Sequence, residues 1–152
     1  MYRQLLGWQQ RLTRSERGQS LVEIALSLPL LLLLLSGLLD LGRLYFVYVA
    51  LEDGAGEGAL YLSINPECPT FDASVNCTDP NNADYRARTS GGLAVDWSTA
   101  DITLDRPVIG VGEPVKVTIR YQFGLVTPVI PRLLGIEQIP LTVEASQIIV
   151  SE

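Results

Sequence analysis

The chain is predicted to be an α+β protein: a long N-terminal transmembrane helix, with a small antiparallel β-sheet packed on its outer half. Two observations carry this. Sixteen consecutive uncharged residues, Ile24 to Leu39, enclose the six-leucine run Leu30 to Leu35, and far downstream the hydrophobic period changes from helical to alternating. A third concerns charge. Four arginines against Glu16 give residues 1–18 a net +3, while the whole chain stands at −6 and the remainder therefore at −9.

Sixteen helical residues span about 24 Å, short of a hydrocarbon layer of about 30 Å. Adding Leu21 to Glu23 makes a span of nineteen, long enough to cross, with Glu23 at or in the bilayer edge. The basic flank stays on the cytoplasmic side, so the expected orientation is N-inside and C-outside. Beyond Leu39 the helical pattern continues. Asp40 and Arg43 are three apart and can pair, Leu44 to Leu51 is apolar again, and Pro66 stops the helix. The helix is expected over about Gln19 to Ser63. A cleaved secretion signal fits less well: the apolar run is long, and no clean small-x-small site follows it.

Several chemistries are excluded by composition. The chain has no histidine, which removes Ser/His/Asp catalysis and the commonest metal ligand. Two cysteines cannot build a four-thiolate zinc site, and a net charge of −6 does not suit nucleic acid. Asp72, Asp79 and Asp84 lack the spacing and central glycine of a calcium loop. Lys116, the one lysine, falls on the polar face of a strand, and Asn76-Cys77-Thr78 is only formally a glycosylation acceptor. No catalytic residue, cofactor or metal is therefore expected, and the chain is read as a non-enzyme. Cys68 and Cys77 both follow the span, on the side where disulfides persist, and are expected to pair and pin the loop between them.

Three features are unusual for a plain anchor. Glu23 near the start of the span would cost about 2.5–3.5 kcal/mol at mid-depth. Pro29 is expected to kink the helix and frees the carbonyl of Ala25, and Gly18 stands five residues before Glu23, directly after the basic stretch. The resulting segment, ERGQSLVEIALSLPLLLLLLSGLLDLGR, resembles a type IV pilin leader. With LEDGAGEGALYLS, GEPVKVTIRYQFG and IPLTVEASQIIV it is similar to the TadE-like family of small pseudopilins of tight-adherence (Flp) pili. That resemblance implies a prepilin peptidase, a membrane aspartic protease, cutting between Gly18 and Gln19, with Ile24 where the family commonly carries an aromatic residue. It also implies that Glu23 docks subunits by neutralising a neighbour's new N-terminal amine. The partners would be the peptidase, other pilin or pseudopilin subunits, the assembly platform and the membrane. The location would be the bacterial cytoplasmic membrane or, after incorporation, an extracellular pilus. The alternative is an unprocessed, single-pass anchored extracytoplasmic binding domain.

Four segments follow: a basic leader over 1–18, the transmembrane and projecting helix over 19–64, a disulfide-pinned loop and short-helix region over 65–100, and a β domain over 101–152. Ala50, Gly54 and Gly58 recur at four-residue spacing, a smooth stripe for close approach of another helix; alternatively, the glycines merely weaken the helix. Asn82 to Val95 is expected to add a short helix. Val115, Val117, Ile119, Tyr121 and Phe123 alternate with polar residues, a half-buried strand. Ile102 and Leu104 mark a strand before it, and Leu141, Val143 and Ala145 one after, with a bulge expected near Gln147. The apolar connection GLVTPVIPRLLGIEQ either caps the sheet's core or meets the membrane interface or a partner.

Overall fold

The computed structural model describes residues 2–127, 131–132 and 135–151, with side chains described from residue 18 onward. It has the α+β organisation expected: one long apolar helix and a three-stranded antiparallel sheet. Helix α1 is Tyr2–Ile64, starting well before the expected Gln19. Residues 1–18 are rich in Leu, Gln and Arg, all good helix formers, and one glycine costs only about 1 kcal/mol in a helix interior. Gly18 therefore leaves the helix unbroken. α1 also passes through Pro29, and its other end, at Ile64, lies one residue beyond the expected Ser63 and two before Pro66.

The chain divides into two compact units, Met1–Leu39 and Asp40–Glu152. The described residues of the first are all helical. Within it, Leu21, Leu26 and the run Leu30 to Leu35 are exposed, a surface that only an apolar surrounding would cover. α1 is the one helix among the described residues long and apolar enough to cross a membrane, and an 18-residue stretch within Gly18–Ile64 has a mean hydropathy of 2.3.

The second unit carries the core. Its elements are the remainder of α1, helix α2 (Ala83–Ser90), two 3-10 turns, and strands β1 (Asp101–Asp105), β2 (Pro114–Gly124) and β3 (Gln138–Ile148) in the order β1-β2-β3. β2 is central because its alternation is the longest: Val115, Val117, Ile119 and Phe123 turn one face inward and are buried. Ile119 lies opposite Ile102 on β1 and Val143 on β3. That face packs on Val47, Leu51, Ala55, Ala59 and Leu62 of α1, all buried.

The bulge expected near Gln147 is absent. The β2–β3 register runs unbroken from Gly124↔Gln138 to Pro114↔Ile148. Ile149 is buried while Gln147 and Ile148 are exposed. Ile149 thus keeps the inward phase of Val143, and Gln147 occupies an inward-phase position where it remains in water. The strand does not slip; one inward position is polar. At the adjoining turn, Gly112 adopts φ +94° and its amide donates to Ile149 O at 2.9 Å, the turn chemistry expected of Gly-Glu-Pro.

Candidate functional site: the leader junction and the buried carboxylate beyond the apolar run

Gly18 and Gln19 lie within α1. A methyl group added to Gly18 would find no described atom within 4 Å, and the backbone there is not in the left-handed region. Among the described residues, therefore, nothing demands glycine at this position. Glu23 is exposed on the helix and, among the described residues, has no ion-pair partner. Pro29 lacks an amide, which leaves the carbonyl of Ala25 without its helical donor. One turn away, Ser27 Oγ donates back to Ile24 O at 3.3 Å. The structure does not bring Gly18, Glu23 and Pro29 together into a pocket. They are successive stations on one helix.

Asp40 closes the apolar run and is 3% exposed. Its carboxylate accepts from Val126 N at 3.3 Å, from Thr127 N at 3.2 Å and from the Thr127 hydroxyl. Arg43 Nη1 adds an ion pair at 3.6 Å, and its guanidinium lies over the Phe123 ring, 5.3 Å from the centroid. Four donor groups converge on one buried carboxylate, which in its ionised form has acceptor sites for all of them. The pairing of Asp40 with Arg43 was legible from their spacing. The tie to Thr127 was not, since the two residues are 87 apart in sequence.

The small-residue stripe is covered from within the chain. A methyl group on Gly54 would stand 2.8 Å from both Ala87 O and Trp97 Cη2, and one on Gly58 3.2 Å from Ala87 Cβ. Ala50 is buried, and its carbonyl oxygen is the atom a methyl on Gly91 would strike. The helix approaching this stripe is thus α2, capped by Asn82 Oδ1 on the Tyr85 amide at 2.8 Å. Trp97 forms the other wall, its Nε1 donating to Gly92 O at 2.9 Å and its carbonyl accepting from Arg88. Nothing in the local pattern marked Trp97 for this role. By contrast Gly56, inside the same stretch, faces open space.

Cys68 and Cys77 form a disulfide. Cys77 is fully buried, and its amide and carbonyl pair with those of Asp72 in an isolated antiparallel bridge. Asp72 caps the turn Ala73–Val75 and accepts from the Ser74 amide and hydroxyl at 2.8 and 2.7 Å. These two donors, the hydroxyl first, hold the Asp72 carboxyl below its ordinary range. Of the apolar connection after β2, Val129, Ile130, Leu133 and Leu134 lie outside the described residues, while Val126 and Ile136 are exposed. Among the described residues no group of three acidic or cysteine side chains is placed to hold a metal ion.

The model of the TadE-like protein family matches residues 18–60. The matched stretch, less than a third of the chain, begins at Gly18 and takes in Glu23, Pro29, Asp40 and the stripe from Ala50 to Gly58, while the disulfide loop and the sheet lie beyond it. No curated protein and no solved structure matches the chain.

Proposed function

We propose that this chain belongs to the TadE-like family, is associated with the tight-adherence pilus and acts as a minor pseudopilin: a membrane-held structural subunit cleaved between Gly18 and Gln19 by a prepilin peptidase. The observation that carries the reading is the coincidence at Gly18. The family match starts there, Glu23 follows at the spacing of a pilin leader, and the described residues give no packing reason for that glycine. A protease whose catalytic carboxylates must close on the chain supplies one, because the smallest residue passes them most easily.

Cleavage would leave an amine on Gln19, cationic at neutral pH. Held in or against the bilayer it needs a counter-charge, and the exposed Glu23 of an adjacent subunit supplies one, fixing the axial register of the two helices. The net +3 of the leader keeps it cytoplasmic, and the disulfide suits the oxidising side. These support a subunit of the bacterial cytoplasmic membrane, N-terminus inside, whose partners are the peptidase, sister pilins and the assembly platform.

The test is peptide mass spectrometry of the N-terminus in protein extracted from its native membrane. The expected terminus is Gln19, free or cyclised, reverting to the unprocessed form when Gly18 is replaced by a bulky residue. A terminus at or near Met1 in cells with active peptidase overturns the reading in favour of the anchored, unprocessed domain. Glu23→Gln should then leave processing intact and impair incorporation beside wild-type subunits; unchanged incorporation would remove the docking role.

A further inference from the structure

The two edges of the sheet are not alike. Just beyond the ends of the β2–β3 ladder, the Leu125 amide donates to Glu137 O at 3.3 Å and the Ile149 amide to Glu113 O at 2.9 Å. Both pairs continue the β2–β3 register. In an antiparallel pair the positions that exchange hydrogen bonds recur at every second residue. The odd-numbered residues of β3, from Ile139 to Gln147, therefore spend their amides and carbonyls on β2. Those of Thr142, Glu144, Ser146 and Ile148 point away from it. By the same alternation the even-numbered residues of β2 serve β1, which leaves Ile102 and Leu104 as the outward positions of β1.

β1 is five residues long, and ties within the chain flank it: Arg88 Nη1 donates to Ala100 O at 3.4 Å before the strand, and Arg106 donates to Pro66 O after it. β3 is eleven residues long. Pro140, without an amide, interrupts its outward donors near one end. Past the other end the Val150 amide is taken by Ser63 O at 2.8 Å. Between these limits the amides and carbonyls of Thr142, Glu144, Ser146 and Ile148 meet no described backbone group, and all four residues are exposed. An open row of donors and acceptors recruits another strand, so edges are ordinarily blunted by proline, lysine or a bulge. From Thr142 to Ile148 there is no proline, no lysine and no break in register.

Charge says what kind of strand suits this edge. Residues 19–152 stand at −9, and Glu23 is the one charge among them before Asp40, so residues 40–152 stand at −8. Glu144, on the edge itself, is half exposed even with Lys116 Nζ at 3.3 Å. A basic segment is drawn to such a surface, whereas a second copy of this chain would bring the same −8 and be repelled.

We propose that the β3 edge, Thr142 to Ile148, binds an extended segment of another protein, bearing lysine or arginine, as a further strand of the sheet. Backbone hydrogen bonds supply the affinity. The exposed Ile148 and Val150, where the edge ends, favour an apolar side chain at that end of the segment. The inference needs neither cleavage at Gly18 nor docking through Glu23, since an unprocessed chain keeps the same edge.

The experiment is amide hydrogen exchange, resolved residue by residue, on the full-length chain in neutral detergent with Cys68–Cys77 oxidised. In the dilute purified chain Val143 and Ala145 should be protected while Thr142, Glu144 and Ser146 exchange freely. A short peptide alternating lysine with valine should slow the latter three by about tenfold or more, and one alternating glutamate with valine should not. The same three amides should be slowed in native membranes. Ser146→Pro removes one outward donor and spares the backbone bonds to β2, so it should abolish the slowing with Val143 still protected. Unchanged exchange in native membranes, or with both peptides, overturns the proposal. Equal slowing by the two peptides overturns the basic character of the partner. Protection already present in the dilute purified chain would show that the chain closes its own edge, and protection that appears only on concentrating it would give the edge to a second copy; either overturns the inference.

Discussion

Replacing glycines along α1 one at a time separates packing inside the chain from packing between chains. Gly54, Gly56 and Gly58 share one helix, so an added methyl brings each about 1 kcal/mol of helix propensity, and that gain cancels when the variants are compared with one another. What differs is space. At Gly56 the methyl meets nothing within 4 Å; at Gly58 it meets Ala87 Cβ at 3.2 Å; at Gly54 it meets a backbone carbonyl and the Trp97 ring, both at 2.8 Å. A carbonyl on α2 cannot swing aside as a side-chain tip can, so α2 or Trp97 has to move, at an overpacking cost of about 1–3 kcal/mol. Gly54→Ala should therefore unfold below Gly56→Ala by that difference, on the order of 5 °C in Tm for a unit of this size, with Gly58→Ala between them. The assay is loss of near-ultraviolet circular dichroism on heating in detergent micelles, which follows the packed unit and not the micelle-held helix. A Gly54→Ala variant as stable as Gly56→Ala would refute the intrachain role and return the stripe to a partner helix.

Asp40→Ala leaves two amides and a hydroxyl without their acceptor; with water able to reach the exposed Val126, the expected loss is about 2–3 kcal/mol in a urea titration, and Thr127→Val should lose about 1 kcal/mol. Equal midpoints for Asp40→Ala and wild type would show that the tie does not hold the folded unit. Cys68 and Cys77, nine residues apart, close a loop whose removal from the unfolded ensemble is worth about 2.5–3 kcal/mol. The double Cys→Ser variant should shift the urea midpoint accordingly, and an unshifted midpoint would mean that the loop opens independently of the sheet. Asp72 binds its proton less readily in the folded loop than in the unfolded chain, so its contribution is present above the ordinary carboxyl pKa of about 4 and is lost as pH falls through and below it. Protection of the Ser74 amide, corrected for intrinsic exchange, should fall over that range and be absent at every pH in Asp72→Ala.

What the sequence disclosed follows the reach of each interaction. The apolar run, the alternation of β2 and the stop at Pro66 are local patterns, and each element stands where its pattern put it. β1 and β3 were legible through Ile102, Leu104 and Val143 because one face of the sheet is buried and the other is not. Gln147 misled because burial, not strand geometry, makes the pattern: at the rim of the sheet an inward-phase position can stay polar without any break in pairing. The leader helix was missed because Gly18 was weighted as a boundary, although a single glycine is a small cost against a run of strong helix formers. Asp40 bonded to Thr127, and Trp97 wedged against Gly54 and Gly91, involve partners brought together only by the fold. No spacing rule reaches across 87 residues.

The glycines divide into those the fold explains and those it does not, and this division is where structure bears on function. Gly54, Gly58 and Gly91 are hemmed in by α2, Trp97 and α1, while Gly112 and Gly92 have backbones that disfavour a side chain. Like Gly56, Gly18 and Gly42 have helical backbones and open surroundings among the described residues. At both, alanine would stabilise the isolated helix by about 1 kcal/mol, so a reason for glycine has to come from outside the chain. For Gly42, which shares the apolar face with Leu41 and Phe46, that outside is whatever covers the face; for Gly18 it is an agent that acts on the backbone at the junction of leader and span. A fold-neutral substitution at Gly18 is therefore a clean instrument. Gly18→Leu should leave the thermal unfolding of the second unit unchanged while abolishing the Gln19 terminus, and a change in unfolding without a change in processing would place the role of this glycine in folding instead.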